Sequence, residues 1–208
     1  MRNRFFDLAF TPSVQAEQAR RGSRKAYAAA AAEVENDPAA DTLSEDEIGF
    51  IAGRDSFYLA SVSETGWPYV QHRGGPAGFV RALDDKTIGW AEFVGNRQYV
   101  SIGNAAADDR VAMIMVDYPR RRRLKLLGRM RVFDTQKRPD LAERLAVPGY
   151  RARIERFVVV TIEAFDWNCP QHITPRLVLA EVESAIAPLR ARIAELEAQL
   201  AEREPVLG

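Results

Sequence analysis

The sequence predicts a mainly β fold of the α+β class: a closed or nearly closed antiparallel barrel with flanking helices. Three observations predict it. Between Ser56 and Trp167 the chain carries a series of short runs rich in β-branched and aromatic residues. Turn signals separate these runs at hairpin spacing, and the helical stretches between them are short. On either side the pattern changes to one rich in Ala, Glu and Arg, all good helix formers. The expected organisation is a helical extension over residues 1–43, a barrel domain over 44–175 and an amphipathic or coiled-coil helix over 176–208.

The stretch from Val14 to Val34 reads as one helix, ended by Asn36-Asp37-Pro38. Ser44 and Glu47 stand at capping-box spacing ahead of Ile48, Phe50 and Ile51, so a second, short helix opens there. The run SFYLASVS, the turn Glu64-Thr65-Gly66 and WPYVQHR form a hairpin. GGPAG interrupts the ladder before GFVRAL, and Asp84-Asp85-Lys86 turns the chain into TIGWAEF. Asn96 is placed to cap a short helix running through Tyr99 and Ile102 to Asp108-Asp109. RVAMIMVDY is a strand of the buried type, YPRRRR a loop, and LKLLGRMRVFD the next strand. Pro139 opens a helix to Ala146, and RFVVVTIEAFDW closes the strand set.

Towards the end of the chain the apolar residues Val182, Ile186, Leu189, Ile193, Leu196 and Leu200 follow alternating steps of four and three. That is the seam of a coiled coil. Charged residues fill the other faces, and Pro188 either kinks the helix or marks a first turn. The helix packs on its own barrel or pairs with its mate in a dimer.

Composition excludes several classes. Lys plus Arg and Asp plus Glu both number 29, so there is no net charge to favour nucleic acid or an anionic membrane surface. One cysteine rules out an internal disulfide and fits a reducing, cytoplasmic setting. The start, MRNRFFDLAFTPSV, lacks the apolar run of a signal peptide, and no stretch is long enough to span a bilayer.

Three clusters carry possible chemistry. In YVQHRGGPAG, Gln71, His72 and Arg73 precede Gly74 and Gly75, where bare backbone lets a flat or phosphorylated ligand approach. The alternative is a plain turn with solvated charges. In GNRQYVSIGN, Asn96, Arg97, Gln98 and Ser101 gather at the expected helix N-terminus, which suits an anion or is an ordinary cap. In YPRRRRLKLLG, alternation puts Arg123 and Lys125 on one strand face and Leu124 and Leu126 on the other. That basic face reads as a phosphate pocket, a nucleic-acid patch or solvated charge. Beyond the last strand, Trp167, Asn168, Gln171 and His172 offer an aromatic surface and amide or imidazole groups to a planar heterocycle. Cys169 and the two histidines are too few for a metal site, and no metal is expected.

Together these segments resemble a known family. FYLASVSETGWPYVQHRGGPAGF, FVGNRQYVSIGN, DYPRRRRLKLLGRMRV and FDWNCPQHITPR are similar, in that order, to a bacterial subgroup of the pyridoxamine 5′-phosphate oxidase-related, FMN-binding proteins. The resemblance runs from about Phe10 to Arg176. It implies a split β-barrel of the FMN-binding type, acting as a homodimer with two FMN sites at the subunit interface. By position, Gln71, His72, Arg73, Gly74 and Gly75 would lie along the isoalloxazine and ribityl chain. Asn96, Arg97, Gln98 and Ser101 would hold phosphate and ribityl oxygens, and Arg123 and Lys125 would complete the anion pocket. Trp167, Asn168, Gln171 and His172 would reach the ring from the partner subunit. The heptad helix stands where true pyridoxamine phosphate oxidases carry a substrate-binding segment, so that substrate is not expected. The helical extension from Phe6 to Val34 lies outside the basic barrel, where it would cap the pocket or the dimer.

The function expected is an FMN-dependent oxidoreductase acting on a small molecule, with neither nucleic acid nor membrane as partner. The alternative is a flavin carrier or redox sensor with little turnover. No catalytic residue is assigned. His72 and His172 alone have an ordinary pKa suited to proton transfer near neutrality.

Overall fold

The computed structural model describes residues 4–34 and 41–203. The chain divides into two units: one runs through Asp117 and resumes over Arg122–Pro170, and the other holds Tyr118–Arg121 and the residues from Gln171 onward.

The first unit opens with α1 (Arg4–Ala9), α2 (Pro12–Arg21) and α3 (Arg24–Val34). The single helix expected from Val14 is therefore two. Gly22 adopts φ 82° and caps α2 through its N–H to the Ala19 carbonyl. The signal was the glycine, outweighed by the helix-forming Ala, Glu, Gln and Arg on both sides. Phe6 and Phe10 stack at 4.8 Å, with the Tyr27 ring edge-on to Phe10 at 5.3 Å. The expected terminator at Asn36-Asp37-Pro38 lies outside the described residues.

α4 (Glu45–Ala52) begins with the capping box read from the sequence: the Ser44 N–H donates to Glu47 at 2.9 Å, and Ser44 Oγ accepts from the Asp46 N–H. Glu47 also accepts from the Trp167 indole at 2.7 Å, which ties the helix to the last strand. Ser44→Ala is expected to cost about 1 kcal/mol, read as a lower urea midpoint.

Seven strands follow: β1 (Ser56–Val62), β2 (Pro68–Gly74), β3 (Val80–Asp84), β4 (Thr87–Phe93), β5 (Arg110–Asp117), β6 (Arg122–Asp134) and β7 (Ile154–Trp167). α5 (Val100–Ala107) separates β4 from β5, and α6 (Pro139–Leu145) separates β6 from β7. All pairings are antiparallel in a single sheet, in the order β2-β1-β5-β6-β7-β4-β3. The sheet curls. β2 and β4 lie near its opposite ends, yet Arg73 of β2 meets Glu92 of β4 at 2.6 Å. The result is a mainly β fold of the split-barrel type.

The core fills the inside of the curl with Phe57, Phe79, Trp90, Leu124, Leu126 and their neighbours. Trp90 and Phe57 meet edge-on at 5.0 Å, and Phe57 stacks on Phe79 at 5.8 Å. Gly75, expected to open backbone to a ligand, serves this packing instead. A Cβ there would lie 2.7 Å from the Phe79 ring, so the glycine admits a core aromatic. Buried Asp117 pairs with Arg54 at 2.7 Å, and Arg54 also donates to the Phe50 carbonyl, so α4 is anchored to the end of β5.

In the second unit, α7 (Leu179–Arg203) is one continuous helix with Pro188 inside it. Arg176 lies over the Tyr118 ring at 4.9 Å. Among the described residues no helix is long and apolar enough to cross a membrane.

Candidate functional site

Alternation along β2 divides the first cluster between two faces. Tyr69, Gln71 and Arg73 point to the half-buried side, and Val70 and His72 to the exposed side. On the inner side, the Arg73 guanidinium donates to Glu92 at 2.6 Å and to Ser101 Oγ at 2.9 Å. Ser101 donates in turn to Gln71 Oε1 at 2.9 Å. One closed network thus joins β2, β4 and the first turn of α5. Ser101 is wholly buried. Its hydroxyl holds Arg73 and Gln71 in place.

Beside this network lies a cleft of about 220 Å³ bounded by Gln71, Arg73, Glu92, Asn96, Arg97, Tyr99 and Glu155. Its floor is the β4–α5 loop, and that loop corrects the expected Asn96 cap. Asn96 Oδ1 accepts from the Gln98 N–H at 3.2 Å in a local turn, and the helix begins only at Val100. Arg97 and Tyr99 both sit in the left-handed region, at φ 60° and 55°. Such conformations in residues other than glycine cost free energy and gather at binding sites.

Tyr99 donates to Glu155 at 2.6 Å, and Arg156 pairs with Glu155 at 3.0 Å while lying 4.7 Å from the Tyr99 ring centre. The Tyr99 hydrogen bond lowers the Glu155 pKa. Glu92 moves the other way: burial pushes its carboxyl above the usual range, against the pull of Arg73 and Arg156. Glu92 Oε2 and Arg73 Nε are buried without hydrogen-bond partners among the described residues. An acceptor and a donor are therefore left unpaired beneath the lining of the cleft. Sequence reasoning missed Glu92, Tyr99 and Glu155. The available signal was a lone acid in the apolar strand TIGWAEF.

The other candidates lie elsewhere. His72, Tyr58, Ile114, Lys125 and Asp166 form one row across β2, β1, β5, β6 and β7, all on the outer face. Three strand spacings, about 14 Å, separate His72 from Lys125. Lys125 pairs with Asp166 at 2.8 Å and lies 4.4 Å from the Phe5 ring centre. Arg123 donates to the Cys169 carbonyl at 3.1 Å, and the Asn168 N–H donates back to the Arg123 carbonyl. Trp167 meets Phe50 edge-on at 4.8 Å and carries Arg122 over its face at 4.2 Å. Gln98 lines a separate cavity with Ser63 and Glu64. Gly74 faces His72, whose ring a Cβ there would approach to 3.1 Å. Gln171 and His172 belong to the second unit. The structure thus brings Gln71, Arg73, Asn96, Arg97 and Ser101 together. It puts His72, Arg123 and Lys125 on the opposite side of the sheet.

Around β1 and β2 that outer face is apolar and open. Val70 is 61% exposed there, with Tyr58 and Val62 also exposed beside it. A cavity of about 420 Å³ adjoins it, lined by Ala60, Val62, Pro68, Ala112 and Leu127, with Arg4 and Arg110 also bordering it. No group of three or more His, Cys, Asp or Glu side chains placed to hold a metal ion occurs among the described residues.

A family model described as pyridoxamine 5′-phosphate oxidase matches residues 44–168. The chain belongs to that family. The matched residues run from the α4 cap to the end of β7, so they contain the whole sheet and the cleft. No curated protein matches the chain. Among solved structures, HupZ of Group A Streptococcus is similar, at 14% identity over 65% of this chain and 99% of that one, with TM-score 0.46. An FMN-binding protein of Syntrophomonas wolfei shares 12% identity over 58% and 81% of the two chains, with TM-score 0.42. An F420 reductase shares 21% over 56% and 93%, with TM-score 0.39.

Proposed function

We propose that this member of the pyridoxamine 5′-phosphate oxidase family binds FMN and works as a homodimeric, FMN-dependent oxidoreductase on a small molecule. The observation that carries the reading is the cleft between β2, β4 and the start of α5, where Arg73, Arg97, Asn96 and Gln71 converge. Its donors fit the ribityl phosphate end of the cofactor. Arg97 and the strained loop backbone would hold phosphate oxygens, with the Arg73 guanidinium adding positive charge from the cleft wall. Glu92, its pKa raised by burial, suits a ribityl hydroxyl better than a phosphate.

When bound, the flavin supplies the electron-accepting ring, and the protein fixes its orientation and polarity. The cleft, about 220 Å³, is smaller than the range of about 300–1,000 Å³ that encloses a whole ligand. The ring therefore needs a further surface. A second copy packed along β2, the edge strand beside the cleft, would supply it.

The purified protein is expected to be yellow and to release FMN, identified by mass. NADH or NADPH should bleach it anaerobically, and an acceptor should restore the colour at a catalytic rate. Bleaching without turnover would make the protein a carrier or sensor. Arg97→Ala is expected to weaken FMN retention about 10- to 100-fold, the worth of a charge-assisted hydrogen bond. Lys125→Ala should change it less than about threefold, being outside the cleft and already paired with Asp166. The reverse ranking would move the phosphate to the outer face.

A further inference from the structure

We propose that α7 pairs with α7 of a second copy as a parallel, in-register, two-stranded coiled coil. The helix lies beyond the residues that carry the family match. Its seam is open: Leu189 is 63% exposed, Ile193 54%, Leu196 41% and Leu200 65%. Four large apolar side chains on one stripe need a cover.

The sequence along α7 says which cover. The four-three steps put Ile186, Ile193 and Leu200 at a, and Val182, Leu189 and Leu196 at d. Mostly β-branched residues at a with mostly leucine at d favour two parallel strands. Pro188 falls at c, away from the seam, and the helix runs through it.

The flanking charges choose the same orientation. In a parallel pair Arg192 at g faces Glu197 at e of the mate, and symmetry supplies this attraction twice. In a fully overlapped antiparallel pair Arg192 meets Arg192, Arg190 meets Arg190, and Glu183 meets Glu197. Each of those contacts sets like charges together, so the antiparallel arrangement is disfavoured.

Six layers are few for a free-standing coil. The pairing therefore rests on the homodimer of the functional reading, which supplies a high effective concentration of the second helix. The experiment separates the two. In full-length Cys169→Ser protein, Ile193→Cys places two thiols at one a layer. At an interaxial distance of about 10 Å, helices of about 2.3 Å Cα radius leave about 5 Å between those Cα atoms, within disulfide reach. Mild oxidation should cross-link Ile193→Cys chains nearly fully and Ala198→Cys chains, at f, at least tenfold less. Equal cross-linking at the two positions would overturn the coil. So would preferential linkage of Leu189→Cys to Ile193→Cys chains over Ile193→Cys to itself. A sedimenting dimer that does not cross-link through Ile193→Cys would also overturn it, leaving the barrel dimer intact; a monomer would remove both.

Discussion

An Arg73→Leu protein is expected to lose about 3–5 kcal/mol of stability, because Glu92 is then left buried without its counter-charge. The side chains of Arg73 and Glu92 are 15% and 12% exposed, so solvent compensates little. The same variant should bind FMN at least tenfold more weakly, since a charged donor at the cleft is gone. The two losses separate in the Arg73→Leu/Glu92→Leu double variant. Replacing both members of a buried pair with apolar residues should recover most of the urea midpoint, while flavin binding stays weak. Wild-type flavin affinity in the double variant would make Arg73 a structural clasp alone. Stability should also depend on pH. Burial raises the Glu92 pKa in the folded protein, so folded Glu92 holds its proton more tightly than unfolded Glu92. Its contribution is full below the ordinary value of 4.5 and is lost as pH rises through the folded value. That loss should be larger and extend to higher pH in Arg73→Leu, and be absent in the double variant.

Gly128→Val is expected to be as damaging, for a reason that involves no charge. Gly128 lies in β6 beside the register shift between β6 and β7. A Cβ there would stand 2.5 Å from the Thr161 carbonyl oxygen and 2.7 Å from a Val160 methyl. The carbonyl belongs to backbone paired in the middle of the sheet, so it cannot yield as a flexible side chain would. The cost should be about 3 kcal/mol, at the upper end for overpacking. Alanine should cost less than valine but still lower the midpoint; a neutral Gly128→Ala would show that β7 can shift locally.

The strands were legible because alternation and β-branched runs report a half-buried ladder directly. Leu124 and Leu126 are buried as the alternation of β6 required. The site was legible in part. Gln71 and Arg73 share a face through period 2, and the same rule sends His72 the other way. Which face meets which strand depends on non-local register, and no local pattern reports that Arg73 reaches Glu92 from the far end of the sheet. The loop before α5 was misread for a related reason. Arg97 and Tyr99 adopt left-handed φ without being glycine, so the tertiary setting imposes a conformation their residue types do not signal. Glu92 was hidden by its strand, where an acid at an expected core edge reads as solvated.

The strand order also governs when the protein can become complete during synthesis. The β3–β4 hairpin joins the rest of the sheet only through β7, which is bonded to β4 on one side and β6 on the other. A nascent chain that has not yet released residue 154 therefore carries two separate sets of strands, with the apolar sides of both unsealed. Until then the two sets can meet only through side chains, such as Phe57 on Trp90 and Arg73 on Glu92, with no strand pairing between them. The final strand acts as the keystone, and until it leaves the ribosome the growing polypeptide carries the unpaired edges and bare apolar surface that favour aggregation.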